Sequence, residues 1–362
     1  MYSRELEALR KAGRFRERKL YPDNLVDFAS NDYLGLGVKS GRLDKAFRLL
    51  SVFPSHAPKA SMLVNGYHPL HYRFEKMLAE ANGFEAGIML GSGFLANLAL
   101  FEALVRRKDH LFVDAGYHAS GMMATRMIGG RFSLFGHNDP AELDYMLADS
   151  KAERKIVAVE GVYSMSGDPV KCGIFEVCRK HGALLVVDEA HSSGVIGKRL
   201  TGIFEYCGIA PGALDIKMGT LGKAYGSYGA YILASRNVIS YLENRAKPVI
   251  YSTAPSVIDT ALAMVNFEYI LRNAAKLRRK LEARRQIVGK IMGKDIRSQI
   301  LSVPVENDVR AVELQHELAG RGWLVGAIRR PTVPKPVLRI IPGLGSSKKE
   351  LKAMLMYLKE AL

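Results

Sequence analysis

Two short stretches carry residue types that could do covalent chemistry together. The apolar run Leu184-Leu185-Val186-Val187 is closed by Asp188, with Glu189-Ala190-His191 behind it. In Thr220-Leu221-Gly222-Lys223-Ala224-Tyr225-Gly226 a lysine lies among glycines, ahead of another apolar run. Burial helps a lysine shed its proton, and the neutral amine can then attack a carbonyl. A carboxylate at a strand end can hold a protonated pyridine nitrogen. Asp188 and Lys223 therefore suit pyridoxal 5'-phosphate chemistry, one for the ring nitrogen and one for a Schiff base. Position alone would also let Asp188 cap a helix. Lys223, 35 residues on, favours the ligand.

Other segments could complete such a site. Gly91-Ser92-Gly93-Phe94 stands between an apolar run and a helical pattern. Free N–H groups at a helix start, approached through glycine, can cradle a phosphate. His118, three residues past Asp188 His191, and Ser164 each follow a predicted strand or its turn. A histidine at the first position could stack on a flat ring. His191 and Ser164 could hydrogen-bond to a phenolic oxygen. In open α/β sheets, ligands sit outside the carboxyl ends of strands, where all these residues fall.

The elements that must position them are legible as alternation. Strands are expected at 87–90, 110–113, 156–159, 184–188, 216–219 and 230–233, with helices at 69–82, 94–105, 119–128, 141–147 and 174–180. Strands alternating with helices indicate an α/β domain with a mainly parallel sheet. From about Asp259 a long helix leads into an α+β unit, with strands at 298–303, 324–328 and 338–342 and helices at 309–321 and 348–361. The expected organisation is an N-terminal segment (1–44), a large α/β domain (45–258) and a smaller C-terminal α+β domain (259–362). The first twenty residues read as a basic amphipathic helix with Leu6, Leu9 and Phe15 on one side.

Composition restricts the class. A hydrophobic content of 48% with 24% charged residues fits a soluble globular protein. No apolar run nears the roughly 20 residues a membrane span needs. The N-terminus lacks a signal-peptide core, so a cytoplasmic location is expected. Cys172, Cys178 and Cys207 lack CxxC spacing, which predicts neither a disulfide framework nor a metal site. The net charge is +16. The densest basic cluster (Lys276, Arg278, Arg279, Lys280, Arg284, Arg285) reads as a solvated helix face, so neither nucleic acid nor membrane is expected as a partner. The charge would also draw an acidic substrate or carrier.

Taken together these segments resemble the α-oxoamine synthase family of fold-type I pyridoxal phosphate enzymes. The matching stretches are Ser30–Leu36, Gly91–Asn97, His118–Ser120, Glu160–Ser164, Asp188–His191, Thr220–Lys223, Tyr251–Thr253 and Arg329–Arg339, in family order. The resemblance implies Lys223 as the Schiff-base lysine, Asp188 on the pyridinium and His118 stacked on the ring. It implies His191 and Ser164 near the phenolic oxygen, and Ser92, Gly93, Phe94 and Thr220 on the phosphate. Ser252 and Thr253 would reach the neighbouring subunit's phosphate in a homodimer. Asn31 and Arg339 would hold an amino-acid carboxylate, for which an Arg fork is suited.

Ala327–Pro334 is most similar to the branch of the family that joins L-alanine to a pimeloyl thioester on CoA or acyl carrier protein, in biotin synthesis. Other branches use other amino acids and thioesters, and an inactive basic partner subunit is the remote alternative. Arg14 and Arg16 could meet a substrate's distal carboxylate. Tyr67, Ser166 and Tyr228 depart from the family pattern.

Overall fold

The computed structural model describes residues 1–12 and 14–362. Its strands, in chain order, are β1 (Val26–Asp27), β2 (Ala86–Leu90), β3 (His110–Asp114), β4 (Phe132–Phe135), β5 (Lys155–Glu160), β6 (Leu184–Asp188), β7 (Asp215–Thr220), β8 (Ala230–Ala234), β9 (Leu301–Pro304), β10 (Trp323–Leu324), β11 (Gly326–Ile328) and β12 (Val337–Ile340). Seven form the main sheet in the order β2-β8-β7-β6-β5-β3-β4. Within it β8 runs against its neighbours β7 and β2, and the other pairings are parallel. The near-continuous apolar runs of β5, β6 and β8 are explained by this arrangement, because a sheet covered on both faces needs apolar side chains on both. Val157, Val159, Leu185 and Val187 enter one core, while Ile156, Ala158 and Val186 enter the other.

The C-terminal unit is a three-stranded antiparallel sheet, β11-β12-β9, packed with helices 308–320 and 348–361. Its core includes Leu314, Leu338, Ile340, Leu351 and Leu355, with Val288 from helix 257–292. Phe28 is fully buried in the same core. Burying one phenylalanine is worth roughly 1.5–3 kcal/mol, and β1 pairs in parallel with β10. These contacts tie the N-terminal segment to the C-terminal unit.

Some expectations are corrected. The N-terminal helix covers only Ser3–Lys11 and buries no residue, with Leu6 and Leu9 exposed. Strand β4 was not expected. It pairs on one side only, with β3, and its exposed Leu134 blurs the apolar signal. Cys172 and Cys207 are joined in a disulfide, their Cα atoms 5.6 Å apart, and only Cys178 is free. Spacing along the chain does not show that these two residues meet in space. Arg284 departs from the solvated helix face. It is buried and donates to the Ser346 carbonyl. Among the described residues no helix is long and apolar enough to cross a membrane.

A buried ion pair holds the segment after β6. Lys217 on β7 lies 3.3 Å from Glu189, and both side chains are almost wholly inaccessible. Lys217 Nζ also donates to Asn82 Oδ1 at 2.9 Å and to the Thr201 carbonyl. Glu189 accepts from Ser192 Oγ and from the Ile203 N–H at 2.8 Å. Gly202 has φ +115, and a Cβ there would collide with the Glu189 carboxylate. Removing one partner of such a pair strands the other in a dry core. Lys217→Met should therefore cost about 3–5 kcal/mol, read as a lower urea midpoint. Adding Glu189→Gln should recover part of the loss.

Candidate active site

The carboxyl ends of the sheet strands open onto a cavity of about 590 Å³. Its wall includes Asn31, Gly93, Phe94, His118, Glu160, Ser164, Asp188, His191, Thr220, Lys223 and Arg339. Glu160, Asp188 and Thr220 are the last residues of β5, β6 and β7. Ser92 caps helix 93–104 at the same end, its Oγ accepting from the Leu95 N–H at 3.3 Å. Ser252, Thr253, Arg14 and Arg16 lie outside this wall. Arg14 and Arg16 instead line a second groove of about 600 Å³ with Arg329 and Arg330, and Ile328 borders both spaces.

The Asp188 carboxylate is held by two donors. Asn97 Nδ2 donates to Oδ2 and the Ala190 N–H to Oδ1, each at 3.0 Å. Asn97 is itself fixed by Tyr117, whose hydroxyl donates to its Oδ1 at 2.8 Å, and its amide reaches Ser120 Oγ at 2.9 Å. Ser120 Oγ in turn lies 2.7 Å from His118 Nδ1. One polar cluster therefore positions both Asp188 and His118. Burial lowers the His118 pKa, against the pull of Asp188, and leaves the imidazole neutral.

Glu160 stands beside Asp188 in register. Burial first, then the Asp188 charge, raises its pKa well above the usual carboxylate range. Its Oε2 accepts from the Ser164 N–H at 3.0 Å, and its Oε1 has no partner. The Ser164 carbonyl accepts from Arg339 Nε at 2.7 Å, and Asn31 Oδ1 accepts from Arg339 Nη1 at 2.9 Å. Arg339 Nη2 is buried without a partner.

Lys223 Nζ lies 2.7 Å from His191 Nε2. Burial lowers the Lys223 pKa to about 8, despite the opposing fields of Asp188 and Glu160. Burial and the charge of Lys223 also push His191 well below its ordinary value. On its other side, His191 Nδ1 is 2.5 Å from the Tyr33 hydroxyl.

These residues pass a test of fit for pyridoxal phosphate. Thr220 Oγ1 is a buried hydroxyl without a partner, at the start of helix 93–104. A Cβ on Gly93 would come within 2.7 Å of Thr220 Cγ2, so only glycine allows that approach. Asp188 has donors but no cation within ion-pair range among the described residues. A phosphate, a pyridinium and a carbonyl would each find a complementary group here. Asn97, Glu160 and Tyr33 are the site residues that the sequence did not single out. Each lies inside a recognised motif, but its contacts cross between elements.

The fold and the cavity define a fold-type I pyridoxal phosphate-dependent enzyme. The aminotransferase class I and II family profile matches residues 23–358. An 8-amino-7-oxononanoate synthase of Helicobacter pylori is 44% identical over 356 residues, covering 98% of this chain and 95% of that one. Another from Anaeromyxobacter is 36% identical, covering 89% and 82%. A Sphingomonas wittichii serine palmitoyltransferase structure aligns with TM-score 0.89 at 25% identity, over 100% and 98% of the two chains. The Francisella tularensis 8-amino-7-oxononanoate synthase structure aligns at 0.76 and 23%, over 94% and 98%, and supports the fold. The chain belongs to the 8-amino-7-oxononanoate synthase family, whose members are pyridoxal phosphate-dependent acyltransferases.

The lysine shift has a direct readout. An amine reacts only when neutral, so lowering its pKa moves reactivity to lower pH. In cofactor-free protein, acetylation of Lys223, followed by peptide mass, should rise with a midpoint near pH 8. Exposed lysines should titrate nearer about 10.4.

Proposed function

We propose that this chain condenses L-alanine with a pimeloyl thioester, carried on CoA or acyl carrier protein. The products are 8-amino-7-oxononanoate, carbon dioxide and free thiol, in biotin biosynthesis. The observation that supports it most is one cavity holding both an amine primed to be neutral, Lys223, and a buried Arg339 Nη2 with no partner. The relatives named above support the choice of substrates.

When bound, the cofactor supplies an electrophilic carbonyl and an electron sink for the α-carbon of the amino acid. Lys223 is the Schiff-base lysine and moves protons to and from that carbon. Asp188, held by Asn97 and the Ala190 N–H, balances the ring nitrogen. His118 offers an imidazole face to the ring, and His191 and Ser164 stand at its phenolic side. Ser92, Gly93, Phe94 and Thr220 hold the phosphate. Asn31 and Arg339 bind the alanine carboxylate, an Arg fork being suited to two oxygens. Arg14 and Arg16 receive the distal carboxylate of the acyl chain, across Ile328 from the site.

The active unit is a homodimer in which Ser252 and Thr253 of one subunit reach the phosphate site of the other. Exposed Leu63, Val64, Tyr67 and Tyr251 give such a contact apolar area. We place the protein in the cytoplasm on its substrate class.

The test is a condensation assay pairing alanine, glycine and serine with several acyl thioesters, products read by mass. Alanine with a pimeloyl thioester should give 8-amino-7-oxononanoate and carbon dioxide. A product only from glycine or serine would move the chain to another branch. Lys223→Ala should lower turnover by at least about 10³-fold, and an active purified variant would refute the lysine assignment.

A further inference from the structure

A row of five side chains runs from the arginine to the lysine. Arg339 Nη1 donates to Asn31 Oδ1 at 2.9 Å. The Tyr33 hydroxyl stands 3.3 Å from that oxygen and 2.5 Å from His191 Nδ1. His191 Nε2 is 2.7 Å from Lys223 Nζ. Tyr33 is completely buried, so no water competes for its single proton. Hydroxyl hydrogen bonds to oxygen span about 2.5–3.0 Å, so the 3.3 Å bond to Asn31 Oδ1 is the weaker of the two and the 2.5 Å contact with His191 the stronger. The proton therefore goes to Nδ1. A neutral imidazole that accepts at Nδ1 carries its own hydrogen at Nε2.

We propose that Tyr33 is a positioning residue for Lys223: its hydroxyl donates to His191 Nδ1, fixes the Nε2–H tautomer and so presents the lysine with a donor. An ammonium has three hydrogens and no lone pair. It gains nothing from a facing N–H, whereas a neutral amine accepts from it. The tautomer thus favours the reactive form of the lysine. His191 stays neutral because it is buried and faces Lys223, Arg339 and His118. Tyr33 keeps its proton because burial raises its pKa to about 12, against Arg339. The groups whose charges act on Lys223 itself are Asp188, Glu160 and Arg339. Asp188 and Glu160 favour the ammonium, so the Tyr33–His191 pair works against them.

This inference rests on the reading of Lys223 given above, and its tests fail separately from that reading. Tyr33→Phe removes one oxygen and frees His191 to adopt the Nδ1–H form, in which Nε2 accepts from the ammonium. In full-length cofactor-free protein, the acetylation midpoint of Lys223 should rise by about one pH unit, so about tenfold less amine is neutral at pH 7. In a His191→Phe background the same change should shift nothing further, because Tyr33 acts through the imidazole. An unchanged midpoint in Tyr33→Phe, or an equal shift in the His191→Phe background, would overturn the proposal. Should Tyr33→Phe fail to fold, nitrogen-15 spectra of the intact protein, with and without cofactor, decide it. They should show His191 as Nε2–H, and an Nδ1–H signal would sink the idea. Loss of the lysine role would show instead as turnover in Lys223→Ala, with the tautomer unaffected.

Discussion

Two carboxyl groups end neighbouring parallel strands, Glu160 on β5 and Asp188 on β6, and both are buried. Like charges close together in a medium of low polarity oppose one another. The surrounding donors break the tie. Asp188 receives the Asn97 amide and a backbone N–H, while Glu160 has one oxygen with no partner. The donors therefore gather on the side where a pyridinium can be matched. Glu160, whose pKa burial and the Asp188 charge raise, anchors the Ser164 backbone.

That division sets the rest of the site. Through Ser164, Glu160 is linked to Arg339, and through Asn97 and Ser120, Asp188 is linked to His118. The charge at Asp188 pulls the lysine toward its ammonium form, and burial pulls the other way. A reactive amine at neutral pH depends on burial winning. β12 and the Asn31 segment bring Arg339 to the cavity wall and Tyr33 against His191 behind it. The C-terminal unit is thus a wall of the site as well as a domain with its own core.

Much of the architecture was readable because buried parallel strands are apolar at every position and short. The runs at 156–159 and 184–187 needed no partner information to be seen. Strand β4, Phe-Ser-Leu-Phe, has a half-exposed pattern that resembles a loop with scattered aromatics. The basic amphipathic pattern of the first twenty residues exceeds the helix itself, Ser3–Lys11, none of whose residues is buried. The Cys172–Cys207 bridge joins residues 35 apart that the intervening chain returns to one place. For the site, the motifs pointed to positions at strand ends. Asn97 and Glu160 sit inside those motifs, yet their work depends on which strand lies next to which.

The sequence alone determined the chemistry on offer: a lysine in a glycine-flanked turn, an acid closing an apolar strand, and a glycine-rich entry to a helix. Residue type and local spacing encode these directly. Tertiary structure decided which of two buried carboxyls receives the Asn97 amide, which arginine nitrogen is left free, and how Tyr33 meets His191 across 158 positions of chain. Those outcomes depend on distances between elements and on the water that packing excludes. Neither quantity exists until the sheet has formed and the C-terminal unit has met the ends of its strands.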